Sequence, residues 1–205
     1  MDKYILASQS PRRRELLAAV IKEYDIVPAK GDENVDFTDP GETVKELSLR
    51  KAVEVAESFN PGAEDRVIVI GADTVVAVDG EILGKPVDRA DAKRMISLIQ
   101  GREHHVYTGV TVCWTDPTEA ERPLHSFSFC EETAVEVFPM TREEIDGYVS
   151  LEEPYDKAGA YGIQGAFCVF IKGIRGDYNN VVGLPVARLY HEMAARGLVR
   201  NANLR

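Results

Sequence analysis

The chain of 205 residues carries 24 Lys and Arg against 34 Asp and Glu, a formal charge of −10. That balance argues against a nucleic-acid partner, whose backbone requires a net basic face, while leaving room for a small anion in a local basic pocket. Hydrophobic residues at 44% and charged residues at 28% suit a soluble globular domain that buries its own core.

Taken in chain order, residues 4–7 read as a short buried strand, after which Ser10 offers a hydroxyl cap and Pro11 suits the first helical position. The apolar spacing of Leu16, Leu17, Val20 and Ile21 extends this helix to about Tyr24. Residues 29–39 are polar and aperiodic, a loop. A second helix spans residues 41–59, with Val44, Leu47, Ala52, Val55, Ala56 and Phe59 as core positions, and Asn60-Pro61-Gly62 stops it. Residues 67–70 form a buried strand. Residues 74–78 then pair with Ile82 and Leu83 across Asp79-Gly80, a strong hairpin signal. Asp88 caps a helix that Gly101 ends. Residues 106–114 and 127–138 read as two long strands, and Thr141 with Glu144 forms a capping box. Residues 152–165 are Gly-rich and aperiodic. A strand at 167–171 and a helix at 184–196 close the chain. The alternation predicts one α/β domain over residues 1–205, a mixed twisted sheet with flanking helices, split into two lobes around a deep cleft.

Three cysteines, Cys113, Cys130 and Cys168, lie far apart without CxxC or Cys/His spacing. This speaks against a disulfide framework and a structural zinc site, and for a reducing cytoplasm. The first residues hold too short an apolar run for a signal peptide, and no stretch nears the ~18 apolar residues of a membrane span.

Four segments could carry chemistry. Ser8-Gln9-Ser10-Pro11-Arg12-Arg13-Arg14 stands at a strand-to-helix junction, where free N–H groups and the helix dipole attract phosphate and arginines add donors. The same residues would also make a solvated basic turn. Gly71-Ala72-Asp73-Thr74, read as the end of a buried strand, puts a carboxylate where α/β sheets commonly bind ligands. Asp73 could hold a divalent cation, take a proton from water, or merely cap a turn. Gly84-Lys85-Pro86 sets a cation on a constrained loop. Around Asp156-Lys157 and Gln164-Gly165, a binding loop offers an amide that can read a base edge. Glu33 is a further carboxylate, whereas Lys51, inside a helix, has the look of a surface residue. His104 and His105 are adjacent on a strand and point to opposite faces, a poor metal pair. No Walker A loop, dinucleotide fingerprint, GxSxG or HExxH is present.

Together, Ser8-x-Ser10-Pro11-Arg12-Arg13, Gly71-Ala72-Asp73-Thr74, Gly84-Lys85-Pro86 and Glu153-Pro154-x-Asp156-Lys157-Ala158-Gly159-Ala160-Tyr161-Gly162-Ile163-Gln164-Gly165 resemble the Maf family, nucleoside triphosphate pyrophosphatases once named for inhibition of septum formation. The resemblance spans nearly the whole chain with its motifs in order. It implies a fold related to inosine triphosphate pyrophosphatases, and hydrolysis of a nucleoside triphosphate to monophosphate and pyrophosphate with Mg²⁺ or Mn²⁺. It further implies Asp73 as proton acceptor and Glu33 as a polar cleft position; as hard oxygen donors, Asp73 and Glu33 suit such an ion as ligands better than any histidine. Arg12, Thr74 and Gln164 map onto substrate-selecting positions, and Ser8, Arg13, Lys51 and Lys85 onto other polar cleft positions. The late motif resembles the subfamily acting on dTTP and UTP. A sister subfamily acting on 7-methyl-GTP, and a nucleotide-binding regulator of division without turnover, are the alternatives. A homodimer and a link to division arrest are family expectations, with no membrane or nucleic-acid partner.

Overall fold

The computed structural model describes residues 2–32, 38–59 and 65–199. Its elements in order are β1 (Asp2–Leu6), α1 (Pro11–Ala18), β2 (Asp25–Ile26), α2 (Pro40–Glu57), β3 (Arg66–Val78), β4 (Glu81–Leu83), α3 (Arg89–Ile99), β5 (Glu103–Trp114), β6 (His125–Val137), α4 (Arg142–Tyr148), β7 (Ile171–Arg175), α5 (Tyr178–Val182) and α6 (Val186–Ala195). The strands form one mixed seven-stranded sheet in the order β2-β1-β3-β5-β6-β7, with β4 added beside β3. β1 runs parallel to β2 and β3, and the remaining pairs are antiparallel. The expected mixed α/β architecture is therefore present. No helix among the described residues is long and apolar enough to cross a membrane.

The two-residue period of β3 divides the core. Its odd positions Val67 and Val69 pack with Ile5 and Ala7 of the first strand segment against Ala52 and Val55 of α2. The even positions face the other way and belong to two separate clusters. Ile68, Ile70 and Ala72 join Leu6, Leu17, Leu189 and Met193, whereas Val76 and Val78 join Leu83, Ile96, Ile99, Val135 and Phe167. Thr74 falls between Ala72 and Val76 on that face, and its register partner Thr108 falls between Val106 and Val110. A polar seam thus separates two apolar cores on one side of the sheet. The Tyr4 hydroxyl donates to the Leu198 carbonyl at 2.9 Å and ties the first strand to the end of the last helical segment.

Two glycines decide how closely α2 rests on its face. A Cβ on Gly71 would lie 2.5 Å from the Ser48 carbonyl oxygen, and one on Gly109 2.1 Å from that of Val44. Only a residue without a side chain admits this approach.

Several boundaries differ from the sequence reading. β3 is one thirteen-residue strand, so Gly71-Ala72-Asp73-Thr74 lies within it and not at its end. Gly71, where the strand is read as ending, instead receives α2. The first helix stops at Ala18 and not near Tyr24. The N–H groups of Val20 and Ile21 both turn back to Leu17, and the Tyr24 hydroxyl bonds the Arg14 carbonyl at 2.7 Å. Residues Ala166–Phe170 form a 3₁₀ turn where a strand was expected, because Phe167 must bury among Tyr148, Tyr161 and Phe170; the strand starts at Ile171. The closing helix starts at Val186, after Pro185, and α5 precedes it. The hairpin at Asp79-Gly80, the Asp88 cap and the Thr141/Glu144 capping box form as read. Residues 29–32 and 38–39 are outside helix and strand, and the stop at Asn60-Pro61-Gly62 falls outside the described residues.

Candidate active site at a gap in the sheet edge

β1 pairs with β3 along residues 66–70, and β4 pairs with it along residues 76–78 on the same edge. Between them, residues 71–75 have no strand partner on that side among the described residues. The chain leaving β1 diverges there into the start of α1, and the chain leaving β4 diverges the other way. A cleft of about 1260 Å³ opens at this gap. Because it opens at an edge, it draws side chains from both faces of the sheet.

Asp73, Ser8, Arg12, Arg13, Lys51, Thr74, Lys85 and Gln164 all line this cleft. Glu33 lies outside the described residues. Lys51, which the sequence makes look like a surface residue, is drawn inward by the close seat of α2: its Nζ donates to Asp73 Oδ1 at 2.6 Å, with both side chains largely buried. The other oxygen, Oδ2, has no hydrogen-bond partner among the described residues.

Ser10 caps α1 by accepting from the Arg13 N–H, as Pro11 at the first position favours. That helix end aims Arg13 across the cleft. Its Nε donates to the Gly183 carbonyl at 2.8 Å, Nη2 to Thr74 Oγ1 at 3.0 Å and Nη1 to Ser8 Oγ at 3.3 Å. Arg13 is therefore held as a cross-tie between α1, β3 and the end of α5. Arg12 keeps one ionic contact at 3.5 Å with Asp156. Burial would raise the Asp156 carboxyl, but the hydrogen bond and charge of Lys157, with the charge of Arg12, hold it below the usual range. Lys85 and Gln164 are exposed at the rim, and Lys85 makes no ion pair among the described residues.

The Gly-rich loop is also anchored. The Gly159 N–H bonds the Gly84 carbonyl at 3.0 Å, which joins this loop to the Lys85 turn. Glu153 accepts from the Tyr148 hydroxyl at 3.0 Å and from the Ala166 N–H at 2.7 Å, while Lys157 bonds the Glu153 carbonyl at 2.7 Å. Tyr161 lines the cleft, and its hydroxyl meets His104 Nε2 at 2.7 Å in the core behind. Burial, and then the nearby His105, lower the His104 pKa to about 3. His105 lies on the opposite face beside Glu132, so the two histidines diverge as their adjacency dictates.

The sequence singles out most of the cleft but not Thr108 and Asn180 as supports, and it gives Glu153, the first residue of the late motif, no role of its own. Thr108 carries a readable sign, a threonine interrupting the alternate apolar row Val106, Val110, Val112.

The profile described as Maf-like protein matches residues 3–196. The chain belongs to the Maf family. Curated relatives named dTTP/UTP pyrophosphatase include one from Agathobacter rectalis, 50% identical over 97% of this chain and 99% of its own length. Those from Carboxydothermus hydrogenoformans and Bacillus cytotoxicus are 47% and 44% identical, over 95% and 94% of this chain and 99% and 95% of their own. Among solved structures, the Ham1 protein of Staphylococcus aureus aligns with 67% of this chain and 72% of its own at 12% identity and a TM-score of 0.39.

Proposed function

We propose that this protein hydrolyses dTTP and UTP to the nucleoside monophosphate and pyrophosphate. The observation that carries the reading is the gap at residues 71–75. It sets the carboxylate of Asp73 against Lys51 and in one cleft with Arg12 and Lys85, a cleft large enough for a nucleotide. The names of relatives at 44–50% identity over almost the full chain support the same substrates.

In this reading the triphosphate lies toward the start of α1 and the Lys85 turn. The helix N-terminus, Arg12 and Lys85 neutralise its charge, and Arg13, held by Gly183, Ser8 and Thr74, adds positive potential from behind. Asp73 takes a proton from the water that attacks the α-phosphorus. The bond to the bridging oxygen of the β-phosphate breaks, and pyrophosphate departs against Arg12 and Lys85. Lys51 fixes Oδ1 of Asp73 and leaves Oδ2 to face the water. Gln164 at the rim reads the base edge.

Among the described residues no group of three or more His, Cys, Asp or Glu is gathered to hold a metal. A hard cation such as Mg²⁺ or Mn²⁺ would be held by the carboxylate of Asp73, with that of Glu33 as the second protein donor. When bound, such an ion supplies charge neutralisation on the phosphates and activation of water. The three free thiols support the reading of a reducing, cytoplasmic setting.

The test is pyrophosphate release from a panel of nucleoside triphosphates with Mg²⁺, Mn²⁺ or EDTA. Metal-dependent release from dTTP and UTP is expected, with Asp73→Asn slower by about 10²–10⁴-fold, the usual contribution of a general base. Release from 7-methyl-GTP alone would move the protein to the sister subfamily. Nucleotide binding without release, or an undiminished Asp73→Asn, would overturn the mechanism.

A further inference from the structure

The polar seam beneath the cleft has a definite direction of hydrogen bonding. Thr108 is fully buried, and its Oγ1 lies 3.0 Å from the backbone carbonyl of Asn180 and 2.9 Å from Thr74 Oγ1. A carbonyl only accepts, so the single hydroxyl proton of Thr108 is committed to Asn180. The Thr74–Thr108 contact then requires the proton of Thr74. Arg13 Nη2, 3.0 Å from the same Thr74 oxygen, only donates and occupies one of its lone pairs. One lone pair is left on Thr74, which is half-buried and lines the cleft. Toward a ligand Thr74 is thus an acceptor and never a donor.

We infer that Thr108 is a positioning residue for substrate choice: by fixing the Thr74 proton away from the cleft, it favours a base edge that presents an N–H over one that presents a bare ring nitrogen. The inference rests on the pyrophosphatase reading and deepens it. The imide N3–H of uracil or thymine meets the Thr74 lone pair as a donor, whereas N3 of cytosine brings a second acceptor against it. A phosphate oxygen is equally unsuited to that position, so the triphosphate lies away from Thr74, toward Arg12 and Lys85.

α5 holds the arrangement at both ends. Asn180 is itself fully buried, and its Nδ2 donates to the Val106 carbonyl at 3.1 Å and to Thr133 Oγ1 at 2.9 Å. Its backbone carbonyl is one of those that a helix end leaves without an intrahelical partner, which frees it for Thr108. Gly183, just after the same helix, supplies the carbonyl that aims Arg13. The two neighbours that dictate the polarity of Thr74 are therefore both set by one short element.

The decisive experiment compares kcat/KM for UTP and CTP in the full-length wild type, Thr108→Val and Thr108→Ser. Valine keeps the shape but releases the Thr74 hydroxyl to turn toward the cleft. The UTP-to-CTP ratio should fall about tenfold, the scale of one hydrogen bond of the wrong polarity. Serine retains the oxygen and should restore the wild-type ratio, a rescue that a purely space-filling role for Thr108 would not produce. A folded Thr108→Val with an unchanged ratio, or equal losses on both nucleotides, overturns the inference. Wild-type protein that releases pyrophosphate from neither nucleotide removes the pyrophosphatase reading and base selection with it, a result distinct from an active enzyme with an unmoved ratio. Should valine prevent folding, neutron diffraction from perdeuterated wild-type crystals reads the same wiring. Deuterium on Thr74 Oγ1 directed at Thr108 supports it, and deuterium directed into the cleft refutes it.

Discussion

His104 should make this fold sensitive to mild acid, and the size of the effect follows from its surroundings. The ring is fully buried behind Tyr161, and its pKa falls from 6.5 to about 3. At pH 7 the histidine is neutral whether the chain is folded or not, so it imposes no cost. Below about pH 6.5 the unfolded chain binds a proton that the native ring refuses until about pH 3, so stability drains away across that window. Each unit is worth about 1.4 kcal/mol, and the roughly 1.5 units between the unfolded pKa and pH 5 amount to about 2 kcal/mol. In a chain of this length that corresponds to about 4–8 °C in melting temperature. Thermal or urea unfolding of wild type and His104→Gln at pH 7 and pH 5 isolates the contribution, because other titrating groups cancel in the comparison. Glutamine still offers a partner to the Tyr161 hydroxyl. The variant should lose about 2 kcal/mol less than wild type between the two pH values. An identical loss in both proteins would mean that the ring is charged in the native state or that its burial is relieved.

Gly109→Ala should destabilise by about 3 kcal/mol, because its methyl group would sit 2.1 Å from the Val44 carbonyl oxygen and lift α2 from the sheet; a unchanged urea midpoint would show that this helix yields freely. The thiols should separate in reaction with an aromatic disulfide reagent at pH 8. Cys168 is exposed and should react first. Burial pushes Cys130 and Cys113 up to about 11, so Cys130 should lag and fully buried Cys113 should wait for unfolding. Simultaneous reaction of all three would contradict the packing around β5 and β6.

The parts of the fold legible in the sequence are those with a local physical cause. Ser10 with Pro11, Asp88, Thr141 with Glu144, and Asp79-Gly80 each satisfy backbone groups within a few residues, and each forms as read. What the sequence hid depends on distant partners. Gly71 resembles a strand break until the backbone of α2 is seen resting on it. Phe167 resembles a strand residue until its aromatic pocket is assembled. Lys51 becomes part of the cleft only because that same helix approach brings it to Asp73, 22 residues away in the chain. Ser8, Arg12, Arg13, Asp73, Thr74, Lys85 and Gln164, which line the cleft, are legible through motif order. The anchoring of Arg13 and the proton direction at Thr74 are not, since they depend on α5 and on Gly183 just after it, 170 residues beyond Arg13.

That last separation has a consequence for synthesis. On the ribosome, Arg13 emerges 170 residues before the Gly183 carbonyl that aims it, and at about 5–20 residues per second the interval is roughly 10–30 s. β1 likewise waits for β3 before it has its long parallel partner, and Tyr4 waits for Leu198. Pairings of such long range form late because loop closure must precede them. A nascent chain can therefore assemble its β5–β6 hairpin early, yet it holds no finished cleft until α5 has docked.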